Sequence, residues 1–385
     1  MHGKTTLAAL LLGSLLGALP ASAAGPYVET VLPLGSSALN DAGTVTGSFL
    51  NPAGHYRAFR WNGGAFTDLG TLGGSYSNGL GINSAGTVVG VSATAAGPAH
   101  GFVAGSGGMI DLGTLDGVAS SAVAINDHGQ VAGNITTADG RQRAFLYDNR
   151  GMRYLGTLNG SDSLAYAINN AGQVVGRSGE RAFLYADGLM RDLGTLGGSH
   201  AVAYDINDAG QVVGAAGTPG SGAGGHAFVV ANGSMADLGT TGFPGEFHDS
   251  AAFGINEQGD IVLTNLRNFR RDAIVLEDGV RTFLNLPDPS AGNSASYPFD
   301  INQAGQVLAY ASAPDGTPQV VLYTPLAAIP EPQTALLWLG GLGVLGALGV
   351  HSGRLAWRRN RRSASSPRPD AAISQAAGSG TGVSR

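Results

Sequence analysis

Two neighbouring segments hold most of the side chains that could carry out chemistry. Residues 241–249 and 264–271 break an otherwise regular pattern and together supply carboxylates, a histidine, arginines and aromatic rings. The polar members are Glu246, His248, Asp249, Arg267, Arg270 and Arg271, and the aromatic members are Phe243, Phe247 and Phe269. Side chains of these types can bind a sugar or, with a paired acid and base, cleave one. Loop variation without any chemical role is the competing interpretation.

A glycan-cleaving hydrolase or lyase would need a specific division of roles among these residues. Glu246 or Asp249 would act as the acid or base, and Arg270 or Arg271 would hold an anionic sugar. Carboxyl groups much more than roughly 10 Å apart could not act as such a pair. The motifs G-x-S-x-G, H-E-x-x-H and the P-loop do not occur in the sequence. The sequence therefore assigns no catalytic, cofactor-binding or metal-binding residue.

Two other polar patterns recur along the chain. The seven residues that precede Ala-Phe, or its equivalent, in each repeat could form a ring that binds an anion. Equivalent packing at the same strand position of every repeat is the alternative explanation of this pattern. These residues are Arg57, His100, Arg143, Arg181, His226, Asp272 and Gln319. A recurring aspartate is a better candidate for turn or strand-edge hydrogen bonding than for catalysis, since a catalytic pair should be singular. It occurs as Asp68, Asp111, Asp192 and Asp237.

The elements that position these residues follow from a tetrapeptide, Asn-x-x-Gly, that recurs in seven copies at near-regular spacing. Its copies begin at Asn40, Asn83, Asn126, Asn169, Asn207, Asn256 and Asn302. The steps between copies are 38 to 49 residues, and a period in the forties with strand-like content indicates a propeller or a related array. Four short strands with turns between them fit in each repeat, as in residues 165–196.

Turn formation explains the tetrapeptide. The asparagine can bond the backbone two residues on, and the glycine supplies a left-handed residue. A valine or isoleucine two residues after each glycine should restart the buried face of the next strand. A ring of metal-binding Asn and Asp residues is the alternative, but Ser84 and Asn170 stand where other copies have aspartate, so acidic ligands are not kept.

The two ends of the repeat region indicate that the ring closes. The last repeat lacks a fourth strand, whereas residues 27–37 resemble a fourth strand with nothing before it. Pairing of residues 27–34 with residues 319–323 would close the array, with Val28, Val31 and Leu34 buried. The strand ending in Asn should then be innermost, which suits its small residues. The predicted fold is all-β, a seven-bladed β-propeller of four-stranded antiparallel blades over residues 24–325.

Composition narrows the possible functions. Charged residues make up 12% of the chain, the net charge is -6, and the repeat region has no basic patch, so nucleic acid is not an expected partner. The chain has no cysteine, which excludes disulfides, thiol nucleophiles and thiolate metal sites.

Both ends of the chain look like targeting segments. Residues 1–23 combine Lys4, an apolar run and an Ala-x-Ala site, as in a signal peptide. After a linker at residues 326–334, residues 335–353 are predicted to form a transmembrane helix. An arginine-rich end and a tail at residues 354–385 follow, and the arginines predict that this end is cytoplasmic.

The C-terminal arrangement resembles the PEP-CTERM sorting signal of exosortase-processed bacterial proteins. Pro330, Glu331 and Pro332 match its motif, and the apolar run and arginines follow in order. The resemblance implies export, an inner-membrane-anchored precursor, an exosortase-type processing partner, and a final place at the cell surface or in the extracellular matrix. The chain departs from the pattern by continuing from residue 363 to residue 385. A G-x-G-x-x-G match starting at Gly341 lies inside the apolar run and lacks the strand that a dinucleotide site requires.

The repeats themselves resemble the bacterial extracellular HAF repeat over about residues 37–323. The phrases that carry the resemblance are His226-Ala-Phe, Arg143-Ala-Phe-Leu-Tyr147, Asp192-Leu-Gly-Thr-Leu-Gly-Gly198 and Ile206-Asn-Asp-Ala-Gly-Gln-Val-Val-Gly214. The resemblance implies a secreted or surface β-propeller-like protein and no particular activity. A non-enzymatic binding or structural role, associated with exopolysaccharide, is therefore the main hypothesis, and glycan cleavage is the alternative.

Overall fold

The computed structural model describes nine stretches of the chain, namely residues 22–24, 27–33, 35–160, 162–219, 224–240, 248–267, 270–284, 296–313 and 315–326. Glu246, Phe243, Phe247 and Phe269 lie outside the described residues. So do Pro330, Glu331 and Pro332, almost all of the predicted signal peptide, and the predicted membrane segment. Within the described stretches, no helix is both long and apolar enough to cross a membrane.

The described residues form seven antiparallel sheets, which we number as blades 1 to 7. Blade 1 contains β3 (Ser36–Leu39), β4 (Val45–Leu50), β5 (Tyr56–Trp61) and β6 (Phe66–Asp68). Blade 2 contains β7 (Gly73–Ile82), β8 (Val88–Thr94), β9 (Ala99–Gly105) and β10 (Gly108–Asp111). Blade 3 contains β11 (Ala119–Ile125), β12 (Val131–Thr136), β13 (Gln142–Asp148) and β14 (Gly151–Tyr154). Blade 4 contains β15 (Ser163–Ile168), β16 (Val174–Ser178), β17 (Arg181–Ala186) and β18 (Leu189–Asp192). Blade 5 contains β19 (Ala201–Ile206), β20 (Val212–Ala216), β21 (His226–Ala231) and β22 (Ser234–Gly239). Blade 6 contains β23 (His248–Ile255), β24 (Ile261–Arg267), β25 (Arg270–Glu277) and β26 (Val280–Phe283). Blade 7 contains β27 (Ser296–Ile301), β28 (Val307–Ser312), β29 (Pro318–Pro325), β2 (Tyr27–Leu32) and β1 (Ser22–Ala24).

Blade 7 is completed by the N-terminal strand, as predicted. Strand β2 pairs antiparallel with β29, from Tyr27 opposite Pro325 to Leu32 opposite Val320. The predicted buried face was wrong at Val31, whose side chain is 40% exposed, whereas Tyr27 and Leu32 are buried. Leu34 lies outside the described residues. The short strand β1 adds a fifth, outer strand, and removal of the predicted signal peptide would leave four.

The first strand of every blade is innermost, as predicted. These seven strands contact one another around the ring, and β27 contacts β3 to complete it. Small residues are required there, because a Cβ on Gly81 would lie 2.9 Å from the carbonyl oxygen of Val123 in the next blade. The residues that restart the second strands are buried as predicted, including Val45, Val131 and Val307.

Each Asn-x-x-Gly forms the turn between the first two strands of a blade. The glycines take left-handed φ values, from 69° at Gly305 to 89° at Gly259. The asparagine Oδ1 accepts the backbone N–H of the residue four positions on in all seven copies, for example Thr44 N–H at 2.9 Å from Asn40 and Gln306 N–H at 2.9 Å from Asn302. The predicted bond to the residue two positions on occurs as well, as at Ala42.

The seven turn asparagines also form a closed ring that the sequence did not reveal. Each Nδ2 donates to the backbone carbonyl oxygen of the corresponding asparagine in the next blade, at 2.9 to 3.4 Å. The bond from Asn302 to the carbonyl of Asn40 joins the last blade to the first. One side chain therefore closes a turn within its blade and links that blade to its neighbour, which explains the recurrence of asparagine rather than aspartate.

Removal of one member of the asparagine ring should be costly. In Asn302→Ala the buried Asn40 carbonyl loses one of its two donors and keeps the Gly43 N–H, while the N–H groups of Ala304 and Gln306 lose their acceptor. Loss of several bonds at a buried site predicts a decrease of about 2–4 kcal/mol in the free energy of unfolding. Asn62→Ala is the matched control, because Asn62 closes an exposed turn through Gly64 and Ala65 without an inter-blade bond. Its expected cost in urea unfolding is below about 1 kcal/mol. Equal losses in the two variants would contradict the role of the ring.

A glycine in the second strand and a phenylalanine in the third form a repeated cross-strand pair. Gly90 lies opposite Phe102, and Gly176 lies opposite Phe183. A Cβ on Gly176 would lie 1.9 Å from the carbonyl oxygen of Leu164 and 3.0 Å from the Phe183 ring. The backbone of the inner strand approaches Gly176 too closely for a side chain at that position, and the Phe183 ring covers the glycine. In blade 6 both members change together, to Leu263 and Ile274.

Serines fasten the inner strands to the preceding blades. Ser77, Ser120, Ser163, Ser250 and Ser296 each accept a backbone N–H from the third strand of the blade before. Ser77, Ser120 and Ser250 also donate to a carbonyl oxygen at, or just after, the end of the fourth strand of that blade. Adjacent blades are thus joined at the serine end of the inner strand as well as at the asparagine end.

Candidate functional site

A cavity lies where the seven inner strands meet. Each inner strand has a register shift beside the third residue before its turn asparagine, such as the shift between Ala165 and Ala167 around Tyr166. The shifted residues of all seven blades line a cavity of about 240 Å³. They are Ser37, Leu80, Val123, Tyr166, Tyr204, Phe253 and Phe299.

The lining of this cavity is asymmetric. Blades 1 to 3 contribute a serine and two aliphatic residues, whereas blades 4 to 7 contribute aromatic rings. Ring centroids are 5.7 Å apart between Tyr166 and Tyr204, and 5.0 Å apart between Tyr204 and Phe253. The series continues from Phe253 to Tyr297 at 4.6 Å. We call Tyr166, Tyr204, Phe253 and Tyr297 the aromatic arc. All four are partly exposed, so their rings are available to a ligand.

The aromatic arc ends at one of the predicted site residues. The guanidinium carbon of Arg271 lies 5.7 Å from the centre of the Tyr297 ring, within the range of a cation–π contact. The Arg271 side chain is exposed. The irregular region of blade 6 therefore contacts blade 7 and leads towards the central cavity.

The predicted ligand face is partly assembled by the backbone of blade 6. His248 pairs with Arg267, and Arg267 also pairs with Arg270. Leu266 lies between Asp249 and Arg271 in the ladder. The segment 264–271 was predicted to be an insertion between strands, but most of it extends β24 and β25. The backbone thus brings five of the six polar residues to one end of one sheet, and Glu246 lies outside the described residues.

Two carboxyl groups in the central cavity were missed by the sequence reasoning. Asp205 accepts the backbone N–H of Ile206 at 2.8 Å and that of Ile255, in the next blade, at 2.9 Å. Asp300 likewise accepts the N–H of Ile301 at 2.9 Å and that of Leu39, in blade 1, at 2.8 Å. The sequence does contain a signal for these two aspartates, because they depart from the repeat. The residue two positions before the turn asparagine is alanine or glycine in the other five blades. Those residues are Ala38, Gly81, Ala124, Ala167 and Gly254.

The cavity strongly perturbs both carboxyl groups. Burial raises the pKa of Asp205 to about 7, against the lowering effect of its two backbone hydrogen bonds. Burial, reinforced by the negative charge of Asp205, raises the pKa of Asp300 to about 8. Carboxyl groups with raised pKa values in a cavity mark a candidate functional site.

In blades 2, 4 and 5, the recurring basic residue pairs with the recurring aspartate across strands. His100 Nδ1 lies 2.9 Å from Asp111, His226 Nδ1 lies 2.8 Å from Asp237, and Arg181 Nε lies 2.9 Å from Asp192. The recurring aspartates also accept the N–H of the glycine two residues on, at Gly70, Gly113, Gly194 and Gly239. Turn and strand-edge bonding, as predicted, accounts for these residues.

The residues that follow the turn asparagines form hydrogen bonds between blades. The Asp127 carboxylate accepts the N–H of Ser84, and Asn170 Oδ1 accepts the N–H of Asp127. In the part of the chain that the structure describes, no three His, Cys, Asp or Glu side chains are grouped as metal ligands. The observed bonds favour the turn interpretation of this motif over a ring of metal ligands.

The fold defines an all-β, seven-bladed propeller of four-stranded antiparallel blades. No protein-family model matches the sequence, and no curated protein matches it. Among solved structures, the chain is similar to YCF48 bound to a D1 peptide, with 13% identity, a TM-score of 0.49, and coverage of 81% of this chain and 99% of that one. It is also similar to the Myceliophteria thermophila Cps50 (Swd1) β-propeller domain, with 10% identity, a TM-score of 0.45, and coverage of 80% and 98%. A puromycin hydrolase gives 16% identity, a TM-score of 0.46, and coverage of 80% and 53%. Identities this low concern the fold alone, so the function is inferred from the residues of this chain.

Proposed function

We propose that the protein is an exported, non-enzymatic binding protein of the cell envelope or extracellular matrix, and that its ligand is extracellular polysaccharide. The observation that carries this proposal is the aromatic arc, which runs from the central cavity to Tyr297 and ends under the exposed Arg271. Aromatic rings offer large, rigid apolar surfaces, and tyrosine adds a polar group at its edge. A sugar ring, with one apolar face and hydroxyl groups around its rim, is complementary to such a strip.

Arg271 adds a preference for acidic sugars. A guanidinium group pairs well with the carboxylate of a uronic acid, and the backbone places Arg267 and Arg270 at the same end of the sheet. The exported location rests on the predicted signal peptide and on the PEP-CTERM-like segment, which also supply the proposed exosortase-type partner and the membrane-anchored precursor. Polysaccharide at the cell surface is the ligand class that suits both the location and the arc.

Binding by the purified full-length protein to a glycan array of neutral and acidic polysaccharides tests this function. We expect binding with a preference for acidic chains. In titrations with the best-binding chain, Tyr297→Ala and Arg271→Ala should each weaken binding by about tenfold, or about 1.4 kcal/mol. Tyr56→Ala and Arg150→Ala are the matched controls, because both residues are exposed and lie in blades 1 and 3, away from the arc. Absence of binding, or equal losses in the control variants, would overturn the proposal.

A further inference from the structure

Two acidic side chains, Asp205 and Asp300, line the central cavity together. The charged groups that act on these two carboxyls are themselves acidic: Glu257 acts on Asp205, and Asp205 and Asp41 act on Asp300. Among the described residues, neither Asp205 nor Asp300 forms a salt bridge with an arginine, lysine or histidine side chain. An ionised carboxylate is stabilised by a nearby positive charge, which a cationic ligand would supply here.

Each carboxyl group also has capacity for a further partner. An ionised carboxylate offers about four acceptor positions, and the two backbone N–H groups occupy two of them in both Asp205 and Asp300. The same backbone bonds hold the side chains in place from two blades at once. The oxygens are therefore fixed before any ligand arrives.

The remaining walls suit an organic cation better than a bare metal ion. Tyr166, Tyr204, Phe253 and Phe299 line the cavity together with the two carboxyls, and aromatic rings attract ammonium groups through their negative faces. A metal ion would instead need several more oxygen ligands. The volume of about 240 Å³ lies below the usual range for drug-sized ligands, so the ligand or its bound group must be small.

We infer that the central cavity is a binding site for a small organic cation, such as a quaternary ammonium group or a protonated amine. The carboxylates of Asp205 and Asp300 would supply the counter-charge, and the four aromatic rings would surround the apolar part of the ligand. The cation site shares Tyr166, Tyr204 and Phe253 with the aromatic arc. The two proposals remain separable, because cation binding depends on the carboxyl groups of the cavity, whereas the polysaccharide test uses Arg271 and Tyr297.

Binding of such a cation is linked to pH. The ionised carboxyls bind the ligand, so affinity rises as pH increases through their titration range, and protons are released on binding. The other ionisable groups around the cavity are Glu257, Asp41, Tyr166, Tyr204 and Arg177, which acts on Tyr204. Of these, Glu257 also has a raised pKa, mainly through burial, and its ionisation would strengthen cation binding in the same direction.

Calorimetric titration of the full-length protein with choline tests the inference. Its neutral carbon isostere, 3,3-dimethyl-1-butanol, is the control ligand, and calcium chloride is the control for a metal site. We expect choline to bind, the isostere to bind at least about tenfold more weakly, and the affinity for choline to increase from about pH 6 to about pH 9. Asp205→Asn and Asp300→Asn should each weaken choline binding by about tenfold or more, whereas Asp278→Asn, in an exposed hairpin turn, should not change it.

A second measurement keeps the test decisive if the asparagine variants fold poorly. In the wild-type protein, carbon NMR of the aspartate carboxyls should show two groups with raised pKa values that move to lower pH when choline is saturating. Equal binding of choline and its isostere, tight calcium binding in preference to choline, or carboxyl titrations unchanged by choline would each overturn the inference.

Discussion

A chain that lacks Tyr27–Leu32 is expected to lose the closed ring and to aggregate. In the described sheet of blade 7, β2 pairs with the outer side of β29, and β1 pairs only with β2. Its removal would expose the edge of β29, and an unpaired strand edge is a template for association with other chains. Tyr27 and Leu32 are buried, and the Tyr27 ring packs edge to face on Tyr323 at 6.5 Å.

The energetic loss should be large enough to measure without ambiguity. Burial of each of these two side chains is worth roughly 1.5–3 kcal/mol, and the six paired residues of the ladder add hydrogen bonds. Deletion of Ser22–Ala24 is the matched control, since it removes only the outer strand β1. Light scattering and thermal unfolding of both variants provide the measurement. A monomeric protein with an unchanged melting temperature after deletion of Tyr27–Leu32 would show that closure does not hold the propeller together.

Stability is expected to fall as the pH rises from about 5 to about 9. Asp205 and Asp300 have pKa values of about 7 and about 8 in the folded protein, whereas an unfolded aspartate titrates near 3.9. The folded state therefore binds more protons between about pH 4 and about pH 8. The stabilising contribution is complete below the unfolded pKa and is lost as the pH rises through the folded values.

The size of this effect follows from the pKa differences. Between about pH 5 and about pH 9 the pKa differences span about two units for Asp205 and about three for Asp300. One pKa unit corresponds to about 1.4 kcal/mol, so the two groups together should lower the free energy of unfolding by up to roughly 7 kcal/mol. Urea unfolding of the wild type and of the Asp205→Asn/Asp300→Asn double variant at both pH values measures it. The double variant should lose most of the pH dependence, and Glu257, whose pKa is also raised, should supply part of the remainder. Parallel pH profiles in the two proteins would contradict the assignment.

The sequence predicted the propeller because its main determinants are local and repeated. A turn asparagine and a left-handed glycine, as in Asn40 and Gly43, act within a few residues of each other, so their spacing reports blade number and strand order. Closure could also be predicted, since a missing strand at one end matched a spare strand at the other. The face of β2 was predicted less well: Tyr27 and Leu32 are buried, whereas Val31, which lies on the same face of the strand as Tyr27, is exposed.

The features that the sequence did not reveal depend on contacts between blades. The bond from Asn302 to the carbonyl of Asn40 spans 262 residues and cannot be seen in any single repeat. The departures from the repeat at Asp205 and Asp300 gain significance only because the inner strands place both residues in one cavity. The aromatic arc is likewise formed by residues from four blades, and it connects the predicted Arg271 to the cavity through Tyr297.

Binding without cleavage is tested most directly by one experiment on the full-length protein and its best-binding polysaccharide. The bound fraction is measured by ultracentrifugation while the chain length of the same polysaccharide is followed by size-exclusion chromatography. We predict saturable binding that Tyr297→Ala weakens by about tenfold, with no change in polysaccharide chain length over prolonged incubation. Shortening of the polysaccharide by the wild-type protein would contradict this account and would establish the glycan-cleaving alternative.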